Sequence, residues 1–277
     1  MGSLTDSFSS PFFQRALIEA VLVGALGGLV GVHVLMRRLP FFVVAMSHAT
    51  FPGIVLASVA GISLFLGGWA FGLIVVAAVL AVGTIRVLDN ASAIGVVLAG
   101  SFAVGVLIQS ARPGGSKDLS AFLVGSIVTV TGRDLITTIA VGIAVVAALA
   151  ALHKELVLSA FDPTGARALG YRTAALDGLM LIAVTVVLVT AVPAVGTLLA
   201  VALLTVPALT ARQWADRVGP AMVIGAAIGA AAGVIGLCLS VVWDIAAGGA
   251  IALTATALFA LSAATRRLRT MKRRPLR

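Results

Sequence analysis

The chain has 277 residues, 61% of them apolar and 10% charged, with 30 glycines, one cysteine and a formal charge of +9. A soluble domain is nearer half apolar and a quarter charged. This composition excludes a disordered chain, a disulfide-stapled secreted domain and a cysteine-rich metal fold, and it argues against a soluble enzyme, because too few charges exist to coat a globule of this size. Most of the surface must face lipid.

The first residues carry Asp6 and a run of serines, and lack the basic n-region and small-residue cleavage site of a signal peptide. A bilayer core of about 30 Å takes roughly 20 apolar residues as helix. Charge and Pro/Gly punctuation then predict spans near 14–36, 41–60, 64–84, 93–111, 134–152, 173–192, 195–210, 219–243 and 246–265. The seventh is short, follows Pro193 and carries Pro207. The stretch 118–130 is apolar but too short to cross, which predicts an interfacial or re-entrant piece. The expected fold class is all-α: a polytopic transmembrane helical bundle of about nine spans over 1–265, followed by a basic tail over 266–277.

Nine spans put the two termini on opposite sides. With the N-terminus outside and the C-terminus cytoplasmic, 15 of the 19 Lys and Arg fall inside, and only Arg15, Arg112, Lys117 and Arg133 fall outside or near that face. This is a positive-inside bias. It reads the tail, with Arg266, Arg267, Arg269, Lys272, Arg273, Arg274 and Arg277, as an anchor to anionic membrane lipids rather than an arm for nucleic acid.

Ionisable residues within spans are costly and mark candidate sites. They are Glu19 and His33 in the first span, His48 in the second, Asp177 early in the sixth and Asp244 at the outer end of the eighth. His48 follows Pro40 by eight residues, about 12 Å of helix, close to the bilayer midplane. Ser47 and Thr50 beside it are polar, and Pro52 brings no N–H to the His48 carbonyl. A neutral imidazole and a freed carbonyl can both ligate a divalent cation; a histidine bonded to a neighbouring helix is the structural alternative. Glu19 reads equally as a pathway carboxylate or as a structural group. Asp177, five residues after Arg172, reads as a shallow residue with a basic partner. His153 reads as a solvated loop residue and Cys238 as a small core residue. Trp69 and Trp243 suit the outer interface and Trp214 the inner one. Gly225, Gly229 and Gly233 put one smooth face on the eighth span, fit for close helix packing.

Two segments on the polar side carry further signals. Asp162-Pro163 begins a turn in which Asp162 can cap a short helix ending near Gly170. After Pro207 a short amphipathic piece carries Arg212, Trp214, Asp216 and Arg217, which suits docking of a soluble partner or a plain interfacial helix. The chain contains no GxxxxGK[ST], HExxH or CxxC pattern. Any ATP-driven work must therefore come from a separate subunit.

These segments resemble the permease subunit of ABC importers of divalent metals, manganese and zinc with iron in some members. The resemblance is carried by Arg37-Arg38-Leu39-Pro40 with Ser47-His48-Ala49-Thr50-Phe51-Pro52-Gly53, by Phe161-Asp162-Pro163 with Ala166 and Gly170, by Val195-Gly196-Thr197-Leu198-Leu199 through Pro207 and Arg212, and by Ser240 to Gly249. It implies a homodimer in the cell membrane with the metal path near its axis. It also implies a cytoplasmic P-loop ATPase subunit, an extracytoplasmic metal-binding protein and no permanently bound cofactor. It makes His48 a gate or transient metal ligand, with Ser47, Thr50 and Pro52 lining the pathway. It makes 203–217, with Pro207, Arg212, Trp214 and Arg217, the helix that couples to the ATPase. One feature departs from the family: the position one turn before the histidine, commonly acidic, is Val44. Glu19 or another carboxylate then completes the site, or the site binds more weakly, or the cargo differs. An ion-coupled secondary transporter and an ABC permease for a metal chelate are the alternatives. The first would need carboxylates that cycle protons near the midplane, the second a wider path.

Overall fold

The computed structural model describes residues 10–83, 90–111, 127 and 130–272. Asp6, Arg86, Arg112, Lys117, most of 118–130 and the end of the basic tail lie outside them. Among the described residues every regular element longer than a turn is an α-helix.

Helix α1 (Pro11–Met36) starts where Ser10 Oγ accepts from the Phe13 N–H at 3.3 Å, and Pro11 sits in the first turn, where its missing N–H is harmless. Arg38, in the left-handed region at φ 56°, redirects the chain into α2 (Pro40–Ala49), which passes through Thr50 into α3 (Phe51–Ala60). Helices α4 (Leu64–Val82) and α5 (Asn90–Ser110) follow. Helix α6 (Gly132–Ala151) opens with a capping box: Thr131 Oγ1 accepts from the Asp134 N–H at 3.3 Å, and Asp134 Oδ2 accepts from the Thr131 N–H at 2.9 Å. Two short helices come next, α7 (His153–Phe161) and α8 (Pro163–Ala168), the second capped by Asp162 as its sequence predicts, with the Gly165 N–H donating at 2.8 Å. The last three are α9 (Thr173–Ala211), α10 (Val218–Trp243) and α11 (Ala247–Lys272). Counting α2 and α3 as one, eight helices among the described residues are long and apolar enough to cross a membrane.

The sixth and seventh predicted spans fall within the 39 residues of α9. They are not joined by a loop. Gly196 (φ 81°, ψ 165°) is the one non-helical residue between them, in a backbone region that only glycine occupies without strain. Contacts show what the break does. Asp177 pairs with Arg37 at one end of α1, Pro193 shares a cavity with Glu19 towards the other, and Leu203 and Ala208 lie against Gly27 and Gly31 on the way back. The chain therefore ascends along α1 and then descends. The first limb is 173–195. The second, 197–211, is about 22 Å long by helical rise and returns to the end it left. Helix α10 then runs antiparallel to α1, and α11 turns back after Asp244 (φ 49°). The described chain thus starts at the Pro11 end of the bundle and finishes at the Arg37 end.

Helix α1 is packed on two sides by backbone. Its Gly24 and Gly28 face Gly229 and Gly225 of α10, while Gly27 and Gly31 face the carbonyls of Leu203 and Leu204 on the second limb of α9. A Cβ added to Gly225 would sit 2.6 Å from the Gly28 carbonyl oxygen, and one on Gly27 would sit 2.8 Å from that of Leu203. The smooth glycine face predicted for the eighth span is this contact. Inside lipid, where helices gain nothing by hiding from solvent, such close approach supplies the dispersion energy of association. Gly225→Ala should lower folding stability by about 1–3 kcal/mol, the cost of overpacking. Gly95→Ala on α5, with no atom within 4 Å of its Cβ, should be neutral or stabilising. Thermal melting of the two variants in detergent checks the contrast; equal midpoints would contradict it.

Candidate functional site

His48 lies in the last turn of α2, just before the helix ladder is interrupted at Thr50. Its imidazole is half-buried, with Phe102 of α5 edge-on to it at 6.3 Å between ring centroids. It shares an outward stripe with Val44 and Phe41, both exposed, so it stands on a side of the bundle rather than in its core. Ser47 and Thr50 are buried, and each spends its hydroxyl proton on its own helix. Ser47 Oγ donates to the Val44 carbonyl at 2.8 Å and Thr50 Oγ1 to that of Met46 at 3.0 Å. Pro52 is buried too and packs near Gly105 of α5. The residues expected to line one path therefore split: the imidazole faces out, and both hydroxyls face in.

Glu19 is elsewhere. It is fully buried between α1, α6 and α9, where Thr138 Oγ1 donates to its Oε1 at 2.7 Å. The structure does not bring it to the partners of His48. Among the described residues no group of three or more His, Cys, Asp or Glu is placed to hold a metal ion. His33 is buried with neither ring nitrogen bonded, and it meets His153 edge-on at 6.3 Å. His153, expected to be solvated in a loop, is in fact half-buried as the first residue of α7. Asp244 is the left-handed cap of α10; beside it Ser240 Oγ donates to the Ile245 carbonyl at 2.6 Å, so the closing motif is a helix-reversing turn.

The stretch 203–217 is not one helix. Residues 203–211 finish α9 with Pro207 buried among them, and 212–217 form a non-helical turn. Arg212 Nη1 donates to the Asp216 carbonyl at 3.1 Å and closes that turn. Trp214 Nε1 donates to Ser262 Oγ of α11 at 2.6 Å, and Ser262 Oγ donates to Gln213 Oε1 at 2.9 Å. Trp214 and Arg217 remain exposed. The short separate helices at this end are instead α7 and α8. Phe161, Leu169 and Tyr171 flank α8 and are exposed at 66%, 71% and 41%, while Ala166 alone on α8 is buried.

One group ties this end together and reads in the sequence only as part of a basic turn. Arg37 has 6% of its side chain exposed and forms an ion pair with Asp177 of α9 through Nη1. Its Nη2 donates to the Leu156 carbonyl at 3.0 Å and to Ser159 Oγ at 2.7 Å, both on α7. Burial lowers the pKa of the guanidinium, and the Asp177 carboxylate offsets only part of that lowering. The shallow, base-paired reading of Asp177 holds; the partner is Arg37, 140 residues away, and not the nearby Arg172.

The chain belongs to the ABC 3 transport family, whose model matches residues 9–266. It is 35% identical over 251 residues to the manganese import system permease protein ScaB of Streptococcus gordonii, covering 91% of this chain and 90% of that one. It is 34% identical over 251 residues to the manganese transport system membrane protein MntC of Listeria monocytogenes, covering 90% and 88%. Among solved structures it is similar to PsaBC from Streptococcus pneumoniae in complex with Fab, with a TM-score of 0.84 and 32% identity over 94% of this chain and 93% of that one. The resemblance expected from the motifs holds at family level, and it sets aside the ion-coupled secondary transporter. The protein is a multi-pass membrane protein of a transport family.

The Arg37 tie is asymmetric, because the buried partner is the cation and Asp177 is 55% exposed. Removing the carboxylate strands a buried charge; removing the guanidinium leaves a carboxylate in water. Asp177→Asn should therefore cost more stability than Arg37→Met, the latter losing about 1–3 kcal/mol through its hydrogen bonds to α7. Melting midpoints of both variants test the order, and a reversed order would refute it.

Proposed function

We propose that this member of the ABC 3 transport family is the membrane-spanning permease subunit of an ATP-driven importer of divalent transition metal ions, with manganese the first candidate and zinc or iron the others. The observation that carries the reading is the outward, half-buried His48 near the middle of its span. It sits on a chain similar over nine-tenths of its length to proteins named for manganese import. A half-exposed imidazole at that depth is costly against lipid tails. A second copy seated on the same face by a two-fold axis would cover it and bring two imidazoles towards one ion.

With Val44 in place of a carboxylate, water and the His48 carbonyl, which gets no N–H from Pro52, would complete a sparse shell. A transit site must release its ion, so few ligands suit it. Imidazole favours zinc over manganese at equal geometry, so selection of manganese would fall to the extracytoplasmic protein that delivers the ion.

The positive-inside bias makes the Pro11 end external and the Arg37 end cytoplasmic. Exposed Phe161, Leu169, Tyr171 and Trp214 then lie at the water-facing cytoplasmic end, where large exposed apolar side chains suit a soluble partner. That partner would be the P-loop ATPase, since this chain has no phosphate-binding loop of that kind. The docking surface is thus α7–α8 together with the 212–217 turn, in place of the single coupling helix expected over 203–217.

Two outcomes are expected. His48→Ala should abolish most manganese uptake by the assembled transporter while the ATPase still co-purifies; unimpaired uptake would remove His48 from the path. Leu169→Asp combined with Trp214→Asp should lose the ATPase in pull-downs while leaving the bundle folded; undiminished co-purification would place docking elsewhere.

A further inference from the structure

The buried carboxylate that the His48 path leaves unused lines a cavity of about 300 Å³ towards the Pro11 end of the bundle. Four parts of the chain meet there: Glu19 from α1, Asp134 from α6, Ser63 at the start of α4, and Thr190 with Pro193 just before the reversal in α9. Glu19 is fully buried, and while Oε1 takes the Thr138 hydroxyl at 2.7 Å, Oε2 has no partner. Asp134 Oδ2 takes the N–H and the hydroxyl of Thr131 at 2.9 and 2.8 Å, which leaves Oδ1 out of the capping box. Among the described residues no Lys or Arg forms an ion pair with either carboxylate. The one ion pair among the described residues, Arg37–Asp177, is at the opposite end, and Arg15 and Arg133 are both exposed.

Two carboxylates on one cavity, one of them fully buried with an unbonded oxygen, repel each other and are expensive to hold ionised. A shared cation removes both costs. Every side-chain heteroatom of the lining residues is oxygen: two carboxylates, the Ser63 hydroxyl, and the lone pairs of Thr190 Oγ1, whose proton goes to the Val186 carbonyl at 2.7 Å. With no nitrogen or sulfur donor among these groups, the set suits hard ions and not zinc or copper. The cavity is also large enough for the ion to keep several waters.

We propose that this cavity binds a hard divalent cation of the calcium, magnesium or manganese kind, held by the Glu19 and Asp134 carboxylates with Ser63 and water completing an oxygen shell. The site is separate from His48, whose aromatic contact is on α5. It fastens α1, α4, α6 and the first limb of α9 at one point beside the chain reversal.

The test uses the purified full chain in detergent, stripped with chelator and melted against increasing CaCl₂, MnCl₂ or ZnCl₂. Calcium and manganese should raise the midpoint saturably, with half-saturation of about 0.1–1 mM, the range of extracellular oxygen-ligand calcium sites. Zinc should not match them. Glu19→Gln keeps the shape and an oxygen for the Thr138 hydroxyl but lacks the charge, and should weaken half-saturation about tenfold or more. Should Glu19→Gln fail to fold, Glu19→Asp keeps the charge, shortens the reach and should show the same weakening. His48→Ala should leave the calcium response intact. No cation-dependent shift, an unchanged response in the Glu19 variants, or loss of the response in His48→Ala would each overturn the proposal. So would an infrared carboxylic-acid band that vanishes in Glu19→Gln and persists in saturating calcium, because Glu19 would then be held as a neutral acid.

Discussion

Helix α1 touches its neighbours through backbone on both sides, and this contact constrains the rest of the bundle. In water, helices meet because apolar side chains avoid solvent; in lipid that force is absent and closeness itself must stabilise. Gly24 and Gly28 on one side and Gly27 and Gly31 on the other bring α10 and the descending limb of α9 to carbonyl contact. Polar side chains must then find partners without disturbing so tight a centre. Most do so within their own helix: the hydroxyls of Thr185, Thr190, Thr205, Thr210 and Thr254 each donate to the carbonyl four residues back. That pattern silences polarity cheaply, at the cost of slight helix bending.

Against this quiet background two ionisable groups stand out for opposite reasons. His48 is on the outside, where lipid or a partner must deal with it. Glu19 is enclosed, with one oxygen bonded to Thr138 and one facing the cavity. The first placement leaves a polar group where a neighbouring molecule can cover or expose it. The second suits retention, because nothing near it moves without repacking α1.

Much of the fold was legible because lipid imposes a simple rule: apolar runs of the right length become helices. Ranges such as 41–60 and 219–243 lie within a residue or two of Pro40–Ala60 and Val218–Trp243. The glycine face of α10 and the Asp162 cap were readable from spacing and turn chemistry. The reversal was legible as two spans, 173–192 and 195–210, on either side of Pro193; its form was not, because a turn of one non-helical residue, Gly196, leaves no polar loop to read. The candidate site was half legible. His48 was found from its depth and from Pro52, but the inward turn of Ser47 and Thr50 depends on rotamers that composition does not encode. Arg37 was missed as a structural group because its partners, on α7 and at Asp177, are more than a hundred residues away. A hint was available: a shallow acid in a span wants a base, and Arg37 precedes the Pro that starts α2. The separation of Glu19 from His48 was invisible for the same reason, since only packing decides which helices share a side.

Arg37 also has a mechanical meaning. A single hydrogen bond lets its two ends swivel, but a planar guanidinium held at Asp177, the Leu156 carbonyl and Ser159 resists torque. Helix α7, which carries the exposed Phe161, is thereby fastened to the foot of α9 and to the corner where α1 gives way to α2. A displacement of α8 would therefore have a rigid route through α7 to residue 37, three positions before the helix that ends beside His48.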